Sequence, residues 1–176
     1  MSRFLKPSDV GMAGDEFSVK GTKYKMLNVT VADFAGSLAI GRVCYISVNA
    51  AGDAEAAKPI PNADNQYCEL AVFMGMPAGR ALDAPGAPPA PATADGVYLF
   101  AIKGPAYALE DGTVAIAIGD TLEILKNTGN FIVNGASGST EPDAAASAVA
   151  MEAHAVASTI LKKVYLRGGV RKISNA

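Results

Sequence analysis

The chain has no tryptophan, one histidine (His154) and two cysteines (Cys44 and Cys68) in 176 residues. Without a Cys-x-x-Cys or Cys/His pattern these residues cannot complete a zinc site. Each cysteine lies in an apolar, strand-like run and reads as a small buried hydrophobe, with one bridge between them left open. Charge is also scarce. Only 18% of residues are charged, 15 basic against 17 acidic, for a net charge of -2. That balance excludes a generally basic nucleic-acid binder. With 50% hydrophobic residues it also excludes a disordered chain. So little charge implies that much of the surface meets other protein. No run of about 18 apolar residues is present, so no membrane-spanning helix and no membrane partner are expected. The first residues carry Arg3, Lys6 and Asp9 but no apolar h-region. No secretory signal is visible there, and the expectation is a protein made in a reducing cytoplasm. Phosphate-loop and dinucleotide fingerprints are absent, and no cofactor is expected.

What is present is strand-like. Residues 24–31 begin a strand. Residues 37–48 are rich in β-branched and aromatic side chains, with Val43 and Tyr45 on one face and Cys44, Ile46 and Val48 on the other. Further strands read at 69–76, at 96–104 (ending at Gly104-Pro105), at 114–118, at 121–125, at 131–133 and at 164–166. Between 127 and 130, Asn-Thr-Gly-Asn predicts a tight turn with Gly129 at positive φ. The fold class is therefore mainly all-β, a small barrel or sandwich. An N-terminal arm occupies 1–20, a β-barrel domain 21–167 with a long Pro-rich loop inserted at 77–95, and a basic, free tail 168–176. Residues 144–158 are ambiguous, because alanine content favours a helix while the alternation of Val149, Met151 and Ala153 favours a strand.

The chain also contains an internal echo. Ser37-Leu38-Ala39-Ile40-Gly41-Arg42-Val43-Cys44-Tyr45-Ile46 resembles Val114-Ala115-Ile116-Ala117-Ile118-Gly119-Asp120-Thr121-Leu122-Glu123-Ile124, each an apolar lead-in, Ile-Gly, a polar residue and a strand. Two similar hairpin elements in one barrel would produce it, and so would chance similarity between β-rich segments.

Candidate chemistry is sparse. Glu152 and His154 would share a face on a strand and could act as an acid-base pair, but no nucleophile motif accompanies them. Asp111, Asp120 and Glu123 lack calcium-loop spacing and read as solvated turn charges. Tyr67 and Tyr98 read as exposed tyrosines able to serve a ligand- or glycan-binding barrel.

One ordered set of motifs carries a resemblance. Ile118-Gly119-Asp120-Thr121-Leu122-Glu123-Ile124 is followed by Asn127-Thr128-Gly129-Asn130-Phe131. Then come Ala148-Val149-Ala150-Met151-Glu152-Ala153 and Lys163-Val164-Tyr165-Leu166. This order resembles the capsid decoration (cement) proteins of tailed bacteriophages, over roughly residues 24–167. Ala148 stands where that family often has glycine, and the 77–95 loop is long. The resemblance implies a non-enzymatic virion protein on the capsid exterior, without catalytic, cofactor or metal residues. It implies a homotrimer bound to the major capsid protein, and residues 144–158 as strand. Arg3, Phe4, Leu5 and Lys6 of the arm are then candidate capsid contacts by strand addition, with Arg171 and Lys172 of the tail as further ones.

Overall fold

The computed structural model describes residues 12–57, 66–77, 89–124, 128–133, 147–156 and 158–173; for Gln66, Tyr67, Cys68, Pro77 and 170–173 it describes backbone only. Just over half of the described residues, 56%, lie in strands. They are β1 (Glu16–Val19), β2 (Thr22–Val29), β3 (Val43–Val48), β4 (Ala54–Ala57), β5 (Gln66–Pro77) and β6 (Gly96–Glu110), then β7 (Thr121–Ile124), β8 (Phe131–Val133), β9 (Ala148–Ala150), β10 (Ile160–Leu166) and β11 (Val170–Ile173). One 3₁₀ turn, Val31–Phe34, follows β2. The all-β expectation holds.

Five strands close a barrel. The circuit runs β2–β4–β3–β5–β6 and back to β2; β2 and β4 pair in parallel and the other neighbours antiparallel. Its interior is filled by Leu27, Val29, Leu38, Cys44, Ala56, Ala71, Phe73, Ala92, Phe100 and Ile102. Cys44 is wholly buried there with a free thiol, and loss of hydration pushes that thiol up to about 12. In a Cys68→Ser variant, Cys44 should therefore not react with a thiol reagent until the protein unfolds; a stopped-flow absorbance trace showing reaction of the native state would contradict this.

The remaining strands make a second circuit of the same kind. β6 continues to β10, β9, β7 and β8, and β8 returns to β6 in parallel while the other pairs are antiparallel. The two circuits match step for step. The β2 role passes to the C-terminal half of β6, β3 to β7, β4 to β8, β5 to β9, and the N-terminal half of β6 to β10. Small details repeat as well. Leu38 and Ala92 exchange two backbone hydrogen bonds, and so do Ile116 and His154. Gly41 N–H donates to Phe73 O while Phe73 N–H donates to Arg42 O; Gly119 and Asp120 make the same pair of bonds with Ala150. The sequence echo is thus a structural repeat. It belongs to two barrels sharing one strand, where the sequence suggested two hairpins of a single barrel.

β6 serves both barrels because its facing inverts midway. Tyr24 pairs with Ala101 but Lys23 pairs with Lys103, so β6 carries one extra residue at that point. Such a bulge moves side chains to the opposite face. Before it, Phe100 and Ile102 fill the first core and Ala101 faces the second; beyond it, Ala106 and Ala108 fill the second. Gly104 sits beside the bulge at φ 91°. Val43 and Val72 point away from the first core and join Ile116, Leu122, Phe131, Ala148, Ala150, Val164 and Leu166 in the second.

Several sequence expectations are corrected. The strand expected to stop at Gly104-Pro105 runs on to Glu110, with Pro105 paired opposite Tyr165 of β10. The arm expected over 1–20 includes β1, which pairs with β2, its Glu16 bridged to Lys23 and Lys25. Residues 37–42 and 114–118 are turns carrying single bridge residues, not strands. The tail expected to be free contains β11, paired with β5. Of the stretch 144–158, residues 147–156 hold no helix; they hold β9 and the bridge residue His154. Within the 77–95 loop, Ala92 returns to the barrel by its bonds to Leu38. The turn glycine Gly129 has φ 70°, as expected.

Candidate functional site

Two features of the second barrel stand out when it is compared with the first. One is a buried polar pair. Glu110 is 0% exposed and His154 5% exposed, and His154 Nδ1 lies 3.3 Å from Glu110 Oε2. β6 brings Glu110 to the end of the second core, and the Ile116 bridge holds His154 against it. The corresponding places in the first barrel are apolar. Val29 ends β2 as Glu110 ends β6, and Ala92 bridges Leu38 as His154 bridges Ile116. Desolvation pushes the Glu110 carboxyl up to about 7; Lys162 opposes that shift and Glu152 adds to it.

The second feature is an open surface. In the first barrel the Gly41 turn is covered by the second barrel. Leu109 N–H donates to Gly41 O at 2.9 Å, Val43 N–H donates to Gly129 O at 2.8 Å, and a Cβ on Gly41 would collide with Leu161. Among the described residues the equivalent turn of the second barrel has no such cover. A Cβ on Gly119 would meet nothing within 4 Å, and Ile118 is 70% exposed. In the same barrel, the outer face of β6 and β10 presents Tyr107 and Tyr165, with Tyr107 opposite Lys163 and Tyr165 opposite Pro105.

The structure separates the residues the sequence had grouped. Glu152 does not meet His154; its carboxylate accepts the backbone N–H of Lys163 at 3.3 Å. The partner of His154 is Glu110, which the sequence reading missed by ending the strand early. The signal was the alternation Ala106, Ala108, Glu110 continuing past the proline. Asp111 and Asp120 do act as turn acceptors, for Thr113 N–H and Ala117 N–H. Glu123 is instead buried in β7. Tyr98, expected to be exposed, is half-buried, packs edge-on against Phe73 and donates to Ala94 O at 2.8 Å. Arg3, Phe4, Leu5 and Lys6 lie outside the described residues. The backbones of Arg171 and Lys172 pair with Cys68 and Tyr67 in β5; their side chains, like that of Tyr67, lie outside the described residues. Among the described residues no group of three His, Cys, Asp or Glu could hold a metal ion, and no helix is long and apolar enough to cross a membrane.

No protein-family model matches this chain, and no curated protein matches it.

Proposed function

We propose that this chain is a non-enzymatic structural protein of a tailed-phage virion. It decorates and cements the outer surface of the capsid, bound as a trimer between neighbouring major capsid subunits. The observation that carries this reading is the same turn in two environments. Around Gly41 the turn is an interface, buried against the next barrel of the chain. Around Gly119 the same turn meets no partner among the described residues, with Ile118 exposed beside it, and the outer face of β6 and β10 adds exposed Tyr107 and Tyr165. A surface of this composition on a low-charge protein marks a protein-protein contact. The motif order from Gly119 to Leu166 supports the same class. Three copies of a modest contact add avidity, and attachment to the expanded shell alone stabilises that shell by linkage.

The alternative of a ligand- or glycan-binding barrel draws on the Pro-rich loop, Tyr67 and Tyr98; Tyr98 is half-buried, and residues 78–88 and the Tyr67 side chain lie outside the described residues. Leu27, Phe73 and Phe100 fill the first core. The crevice lined by Leu70, Ile102, Phe131 and Leu166 encloses about 10 Å³, room for one water.

The test is co-sedimentation with expanded capsids built from the major capsid protein. Ile118→Asp is expected to weaken attachment at least about tenfold without changing the melting temperature, since it places a charge in the contact. Normal attachment of the variant would remove the turn from the contact. Failure of the unmodified protein to sediment with capsids would remove the reading itself.

A further inference from the structure

The Glu110–His154 pair is defined by its proton count. His154 Nε2 lies 3.0 Å from the carbonyl oxygen of Ser158. A carbonyl only accepts, so Nε2 carries the hydrogen. In a neutral imidazole Nδ1 is then an acceptor, and it faces Glu110 Oε2 at 3.3 Å. An ionised carboxylate is also only an acceptor. Two lone pairs would meet across that gap in a site stripped of water. One more proton, on the carboxyl or on Nδ1, turns the repulsion into a hydrogen bond. Nothing else relieves it, because neither Glu110 oxygen nor His154 Nδ1 has a hydrogen-bond partner among the described residues.

The surroundings are mixed in charge. Lys162 on β10 favours the ionised carboxyl, and Glu152 on the connection from β9 to β10 disfavours it. β8 contributes the apolar Phe131, and Ile116 faces the pair from its bridge with His154. The connection carrying His154 lies directly on the barrel. A Cβ on Gly112 would sit 2.5 Å from Ser158 N, and Ile116 and His154 exchange two backbone bonds of 2.9 Å. The first barrel closes the same end with Val29 and Ala92, which cannot titrate.

We propose that Glu110 and His154 form a one-proton latch that holds the β9–β10 connection across the end of the second barrel, and that loss of the proton as pH rises releases this connection. The sign follows from the carboxyl. Burial raises its folded pKa from 4.5 to about 7. The latch therefore contributes fully below the unfolded value and is lost as pH rises through the folded one. The latch does not depend on the capsid reading.

Hydrogen exchange on the full chain tests it, with rates corrected for their intrinsic pH dependence. Protection at the Ile116 and His154 amides is expected to fall at least about tenfold between pH 5.5 and 8.5. The equivalent amides of Leu38 and Ala92 are the internal control and should not change. In Glu110→Gln a side-chain amide N–H donates to Nδ1 at every pH, so the fall should vanish. A second measurement needs no variant. His154 is the one histidine of the chain, so its ring ¹⁵N signals are unambiguous. They should show the Nε2–H form and shift as the Glu110 carboxyl loses its proton. Equal protection at both pH values, a fall that persists in Glu110→Gln, or an Nδ1–H ring that does not respond would each overturn the latch.

Discussion

Gly104→Ala is expected to destabilise the protein by on the order of 4 kcal/mol, among the largest effects available to one methyl group. Two costs combine. At φ 91° an L side chain is strained, by about 1–2 kcal/mol. The added Cβ would also overlap the carbonyl oxygen of Gly21 and lie 3.0 Å from Thr22 Cα, both main-chain atoms that cannot swing aside. Gly119→Ala separates the two costs. Gly119 has nearly the same φ, 92°, but its Cβ would meet nothing within 4 Å. Only the strain of about 1–2 kcal/mol should appear there. Urea denaturation of both variants decides it. Equal losses would mean that conformation alone matters and that the close approach of β6 to β2 is soft.

Phe73→Ala is expected to cost about 3–5 kcal/mol, the range for removing a fully buried aromatic ring. Phe73 is 0% exposed, with ring centroids 5.4 Å from Phe100 and 5.7 Å from Tyr98. Its loss opens the centre of the first barrel between β5 and β6. The consequence reaches further than one barrel. β6 is a wall of both circuits, and Val43, Val72 and Ala101 of the first barrel also line the second core. Neither barrel can lose its strands while the other keeps a complete core. Phe73→Ala and Phe131→Ala, one from each core, should therefore lower a single common transition in calorimetry, with matching calorimetric and van't Hoff enthalpies. Two separated transitions, each moved by one variant, would mean that the barrels fold as independent units.

The structure makes clear which local signals carried. Alternation placed Cys44 toward one core and Val43 toward the other, and it survived because neighbouring strand residues must point to opposite faces. Gly129 at positive φ followed from turn chemistry alone. The strand at 148–150 won over alanine's helix propensity because β7 and β10 pair with it on both sides. A single-sequence propensity contains no term for such neighbours. The Gly104-Pro105 stop was wrong for a related reason. Glycine and proline do end strands in isolation, but beside a bulge they re-aim one. The tail was misjudged because Arg171 and Lys172 read as solvated charges, whereas the backbone of β11 pairs with β5, a partner about a hundred residues away that local pattern does not reveal.

The sequence by itself determined that this protein is all-β, with little charge and a repeated Ile-Gly element. Those properties live in residue type and in spacing of a few positions. Tertiary structure alone decided that the repeat means two barrels on one strand, that Glu110 and not Glu152 faces His154, and that one copy of the repeated turn is buried while the other is open. Each of these depends on pairings between strands far apart in the chain. A single extra residue in β6 reverses which side chains face which core, and the pairing that places it joins residues far apart in the chain. Local pattern cannot encode that choice; the packing of two cores against the same strand makes it.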